Sequence, residues 1–149
     1  MKGCTITRTG HASRRCRGNA LLDMALVMPV LLMLSFGAIE YGYALFIKHS
    51  LQGAAREGAR VATLPGATAA DVQAAVDQTM LIAGFGPTKY TRPALIEPSN
   101  WSTAGAGMQV RVTVHTTWGT VGVRVLPTYL GGISSEKQLR AATAMRREG

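Results

Sequence analysis

From Met24 to Ile47 the chain is apolar almost without interruption, and Glu40 is the only formally charged residue in that run. Crossing the hydrocarbon core of a bilayer takes about 20 apolar residues at about 1.5 Å of rise each, so the pattern predicts a transmembrane helix. Leu26, Val27, Val30, Leu31, Leu32, Leu34, Phe36, Ile39, Leu45, Phe46 and Ile47 carry the run. Each contributes about −0.3 to −0.6 kcal/mol to insertion, about −5 kcal/mol together, against at most about 3 kcal/mol for one off-centre acid. Insertion wins. Pro29 lies inside the run. A proline in a water-exposed helix costs about 3 kcal/mol, but within a membrane neighbouring groups can satisfy the freed carbonyl. Pro29 therefore reads either as a harmless kink or as a hinge that lets the first turns re-pack when the helix leaves lipid. Gly37, Gly42 and Ala44 reduce bulk around Glu40 and admit a second helix closely. Glu40 itself either reaches headgroups and water at the outer interface or is buried against a partner helix that brings a cation.

Helical periodicity continues past the apolar run. Leu51, Ala55, Gly58 and Ala62 fall on one face, Gln52, Arg56 and Arg60 on another, and Glu57 can pair with Arg60 at i,i+3. Pro65-Gly66 stops the helix, giving a rod of roughly 65 Å from Leu21 to Leu64 at about 1.5 Å per residue. The small-residue stripe reads as a packing seam for the chain's own head in preference to an interface with other subunits. Thr68-Ala69-Ala70-Asp71 is a capping-box-like start to a second helix, whose apolar face is Val72, Ala75, Val76, Met80 and Ala83. Gly84-Phe85-Gly86-Pro87 ends it. The stretch to Gly107 reads as loop with a short strand around Ala94–Ile96. Met108–Thr117 alternates valines with polar residues and is the clearest strand. Trp118–Val125 predicts a second and Lys137–Met145 a third, although the alanines of the third also suit a helix. The fold class is α+β: a long N-terminal helix with one extra helix and a small antiparallel sheet packed on its outer half. A head of this size is marginal alone, so the emergent helix is expected to supply part of its core.

The formal charge of +8 suggests nucleic acid until its distribution is considered. Lys2, Arg8, Arg14, Arg15 and Arg17 all precede Gly18 without an accompanying acid, and the remainder has no basic helix or aromatic-interleaved basic strand. A phosphate footprint needs clustered cations, so nucleic acid is excluded as a partner. The same leader supplies orientation. By the positive-inside bias the N-terminus is cytoplasmic and the C-terminal region outside, with Tyr41, Tyr43 and Phe46 as an outer aromatic belt. An ordinary secretory signal has an apolar region of only about 7–15 residues, shorter than this one. Ser13-Arg14-Arg15 hints at a twin-arginine signal, but Cys16-Arg17-Gly18 follows where apolar residues are wanted. Both cysteines, Cys4 and Cys16, lie in the leader. His11, His49 and His115 are scattered without metal-ligand spacing, and neither a phosphate loop nor a nucleophile elbow is present. The expectation is a non-enzyme with no cofactor and no metal.

Basic leader, Gly18, four residues, Asp23, then Met24-Ala25-Leu26-Val27-Met28-Pro29-Val30-Leu31-Leu32 and Gly37-Ala38-Ile39-Glu40: this block resembles the TadE-like pseudopilins. These are minor pilin-like proteins of tight-adherence (Flp, type IVc) pilus systems. The tail Arg140-Ala141-Ala142-Thr143-Ala144-Met145-Arg146-Arg147-Glu148 is similar to that family's C-terminal end. The resemblance is dense from about Arg15 to Ala62 and thin between there and the tail.

The resemblance implies a pilin-like fold and cleavage between Gly18 and Asn19 by a prepilin peptidase on the cytoplasmic face, with Arg14, Arg15 and Arg17 as leader charges. Residues 1–18 would be removed, 19–47 would span the inner membrane, 48–64 would continue the helix outside, and 65–149 would form the head. Implied partners are that peptidase, other pilins and pseudopilins, the inner-membrane pilus assembly platform and membrane lipid. Incorporation into a surface pilus is a further implication. Asp23 would become the fifth residue, where a carboxylate can neutralise a neighbouring subunit's buried α-amino group. The family usually carries glutamate there; aspartate is one methylene shorter, which changes its reach. The alternative reading is a bitopic, signal-anchored envelope protein whose external head binds a partner and has no pilus role.

Overall fold

A computed structural model describes residues 13–103, 105–123 and 125–147, with side chains from residue 20 onward except residue 129. The leader positions Lys2, Cys4, Arg8 and His11, and Glu148 of the tail, lie outside the described residues. Helix α1 spans Ser13–Ala62, α2 Ala69–Ile82 and a one-turn α3 Trp118–Val121; the strands are β1 Leu95–Glu97, β2 Gln109–Thr117 and β3 Gln138–Arg146. The chain forms two compact units, Met1–Phe36 and Gly37–Gly149.

Among the described residues of the first unit, α1 has no apolar partner. Leu21, Leu22, Leu26, Val30 and Leu34 are all exposed, and from Ala20 the helix is long and apolar enough to cross a membrane. Such a helix is consistent with a single-pass membrane anchor, because a helix satisfies most of its backbone groups internally. Ser35 follows the same rule by donating its hydroxyl to the Leu31 carbonyl at 2.8 Å.

The second unit is α+β and pilin-like, built from the outer part of α1, one extra helix and a three-stranded antiparallel sheet in the order β1-β2-β3. Ile47, Leu51, Ala54, Ala55, Ala59 and Ala62 of α1 are fully buried, as are Val72, Val76 and Met80 of α2 and Val110, Val112 and Val114 of β2. The small-residue stripe is thus the head's own packing seam. Central β2 pairs Ile96 with Val112 on one side and Thr113 with Ala142 on the other. The alanines of β3 are accommodated as strand because the ladder runs unbroken from Gln109↔Arg146 to Thr117↔Gln138.

Helix α2 starts as its sequence predicts. The Thr68 hydroxyl accepts from the Asp71 N–H at 3.3 Å, and Asp71 Oδ2 accepts from the Thr68 N–H at 2.8 Å. The hydroxyl and backbone donors of Thr68 hold the Asp71 carboxyl below its ordinary range. A depressed folded value means the box stabilises the head above about pH 4 and loses its contribution as pH falls through the folded value. Asp71→Asn is therefore expected to lower the melting temperature near neutrality and to converge with the parent as pH falls, which flattens the acid limb of a thermal-melt series. An unaltered acid limb would refute this assignment.

Trp118–Val125 is not the predicted strand. Trp118 and Val121 are buried on one turn of helix, whereas Val123 is exposed. The turn is held where β2 leaves the sheet: the Trp118 N–H donates to the Lys137 carbonyl at 2.8 Å and the Gly119 N–H to the Ser135 carbonyl at 2.8 Å. A Cβ on Gly119 would meet the Ser135 oxygen at 3.0 Å, so glycine permits that approach. The alternating valines mimic a strand but belong to a corner and a loop.

Candidate functional site

Gly18 and Asn19 lie within the α1 backbone, as do Arg14, Arg15 and Arg17; the side chains of residues 13–19 are outside the described set. Asp23 is exposed on α1 and stands four residues after Asn19. Residues at i and i+4 share a helix face, so an acid at 23 lies one turn from any terminus created at 19. Negative charge near a helix N-terminus is also favoured by the helix dipole. Pro29 sits inside α1, which continues through it. Lacking an N–H, it frees the carbonyl four residues earlier, that of Ala25.

Glu40 differs from both alternatives drawn from the sequence. Its side chain is 1% exposed and its ligands are backbone amides of its own chain. Oε2 accepts from the Leu126 N–H at 3.0 Å and Oε1 from the Ile133 N–H at 2.8 Å. One carboxylate thus clasps both ends of the segment 126–133. Between those ends Thr128–Leu130 forms a 3-10 turn, Gly131 adopts φ 92°, and the Gly132 N–H returns to the Pro127 carbonyl at 3.3 Å. A Cβ on Gly132 would stand 2.1 Å from the Leu126 carbonyl oxygen, so only glycine fits there. The Tyr41 hydroxyl adds a long contact of 3.4 Å to the Gly131 carbonyl. Gly37 faces the same segment, since a Cβ there would come within 3.6 Å of Leu126 Cδ1, whereas Gly42 faces open space. Gly37 and Glu40 thus serve the head, and Gly42 alone keeps an open side.

The remaining polar groups knit the head. Glu57 and Arg60 pair at 2.6 Å, and the Arg60 hydrogen bond holds the Glu57 carboxyl below its ordinary range. Asp77 on α2 accepts from Tyr90, Arg92 and Gln73, while Gln73 Oε1 accepts from the Ala94 N–H at 2.7 Å. Burial first, and then the Asp77 hydrogen bond, push the Tyr90 phenol well above its ordinary value. This network fixes the approach to β1 on α2. Among the described residues no three His, Cys, Asp or Glu side chains group as metal ligands.

Sequence reasoning flagged Glu40 as anomalous but missed its partners, which lie 86 and 93 residues away in the chain. The signal that was available is the Leu126-Pro127 to Gly131-Gly132 stretch, whose turn residues mark a tight loop able to aim amides inward. Nothing in it names Glu40 as the acceptor.

Residues 18–60 match a family model described as TadE-like protein, the family that the leader-helix block resembles. The matched region starts at Gly18 and ends within α1, so it covers Asp23, Pro29, Gly37, Glu40 and Gly42 and stops before the rest of the head. No curated protein and no solved structure matches the chain.

Proposed function

We propose that this chain is a minor pilin-like structural subunit of a tight-adherence type IV pilus, with no catalytic role of its own. The observation that carries the reading is the TadE-like match over residues 18–60, which coincides with an apolar helix whose described side chains in the first unit are exposed. Association with a Tad pilus system follows from that family. In the finer reading, a prepilin peptidase cuts after Gly18 on the cytoplasmic side of the inner membrane, the helix from Asn19 stays in the bilayer, and the head lies outside. The exposed apolar flank of α1 then serves lipid first and neighbouring pilin helices afterwards. Gly42, open on its outer side, lets such a helix come close.

Asp23 takes the role of partner to a neighbour's α-amino group. An amine moved from water into a helical bundle carries a desolvation cost of several kcal/mol, which a carboxylate at short range offsets. The test is intact-mass measurement of the chain from cells carrying the matching peptidase, with and without Asp23→Ala. The expected product begins at Asn19 in both, and only the Asp23→Ala chain is depleted from sheared pili. A product retaining Met1, or one cut beyond Ile47, defeats the pilin reading and favours a signal-anchored envelope protein. Normal incorporation of Asp23→Ala defeats the charge-pairing role alone.

A further inference from the structure

We infer that the head carries a groove for an anionic phospholipid on a face of α1 where the apolar run ends. Tyr41, Leu45 and Lys48 stand at i, i+4 and i+7 on one helix face. With Ile133, Lys137 and Leu139 they line an open groove of about 570 Å³, within the usual range of ligand sites, about 300–1,000 Å³. Tyr41 is 55% and Leu45 59% exposed, so this wall is not consumed by the head's own core. The charged side chains described in the lining are Lys48 and Lys137; Glu136, next to Lys137 in the chain, does not line it.

The order of these groups along the helix identifies the occupant. The chain enters this unit at Gly37, within the apolar run that continues to Ile47. Lys48 lies seven residues beyond Tyr41, about 10 Å further along the axis. Along α1 the lining therefore passes from Tyr41 and Leu45 to the cationic Lys48, where the apolar run ends. A phospholipid in the outer leaflet has the same sequence of chemistry, acyl chain first and phosphate after. Lysine stems cover apolar surface while their ammonium groups stay with the headgroups, which suits both halves of the fit. The inference rests on the membrane-anchored reading with the head outside. It adds a lipid class and a place.

Native mass spectrometry of the full chain in detergent, titrated separately with phosphatidylglycerol, phosphatidylcholine and inorganic phosphate, tests it. One phosphatidylglycerol is expected to be retained in preference to phosphatidylcholine, and Lys48→Gln/Lys137→Gln to weaken it by about thirtyfold, given the contribution of each lysine at an anionic surface. Arg56→Gln/Arg140→Gln removes the same charge from exposed positions elsewhere and is expected to leave retention unchanged. Equal retention of the two lipids, an equal loss in the arginine pair, competition by free phosphate, or a protein dimer in place of the lipid adduct would each overturn the groove. Reconstitution into phosphatidylcholine nanodiscs separates the two ideas. Failure to incorporate there counts against the membrane anchor itself, whereas incorporation without an anionic preference counts only against the groove.

Discussion

Glu40→Ala is expected to cost the head about 3–5 kcal/mol, because it removes two hydrogen bonds to a buried carboxylate at about 1.5–3 kcal/mol each. Both donors, the Leu126 and Ile133 amides, then lose their acceptor at once. Against a total stability of about 5–15 kcal/mol for a typical domain, that is enough to leave a sizeable fraction of heads open. Glu40→Gln is not a mild replacement. It keeps one acceptor but turns an amide donor toward the other N–H, so most of the loss remains. Glu40→Asp is one methylene shorter and cannot keep both contacts. Urea melts of the detergent-solubilised chain, followed through the buried Trp101 and Trp118, measure the loss. Limited proteolysis should place the first new cut within residues 126–133. A melt within about 0.5 kcal/mol of the parent, the range of ordinary surface substitutions, would refute the clasp.

The second large effect is at Gly58, where α1, α2 and β2 converge. A Cβ there would stand 2.8 Å from Val76 Cγ2, 3.3 Å from Val112 Cγ1 and 3.5 Å from Val72 Cγ1. All three valines are fully buried, and β-branched side chains have little rotamer freedom with which to yield. Gly58→Ala sets about 1 kcal/mol of helix propensity against about 1–3 kcal/mol of overpacking, so its net cost is small, about 0–2 kcal/mol. Gly58→Leu has no such compensation. Its branched side chain must separate the helix from both neighbours, and loss of the folded head is expected. The discriminating measurement is a double-mutant cycle: Val76→Ala, by vacating the space, should recover about 1 kcal/mol in the Gly58→Ala background. Simple additivity would mean the close approach is not what constrains this position.

Much of the architecture is legible because it is periodic. Leu51, Ala55, Gly58 and Ala62 mark a helix face, Thr68 and Asp71 mark a start, and Val110, Val112 and Val114 mark a half-buried strand. Each signal is local, and each element forms where its pattern lies. The reading of Trp118–Val125 failed because alternation reports spacing, not surroundings. There the backbone leaves the sheet at a point set by amides binding carbonyls of residues 135 and 137. Glu40 failed differently. An acid in an apolar run announces that something must compensate it, but a backbone amide leaves no residue-type signature. Its donors are fixed only when the turn around Gly131 and Gly132 is formed. Asp23 is the converse case: its spacing from Gly18 is plain in the sequence, and its exposed position on α1 neither supplies nor removes a partner within the chain.

The clasp at Glu40 has a consequence for where the helix rests. In a helix that enters lipid, an uncovered carboxylate costs up to about 3 kcal/mol and favours a shallower register, each residue of sliding moving the axis by about 1.5 Å. When residues 126–133 close over it, the acid is shielded by amides and that penalty falls. In the proposed membrane-anchored arrangement, immersion depth and tertiary folding are thus thermodynamically linked: a chain with an open head floats higher than one with a closed head. In that arrangement, a label near Phe36 would register whether the head has folded.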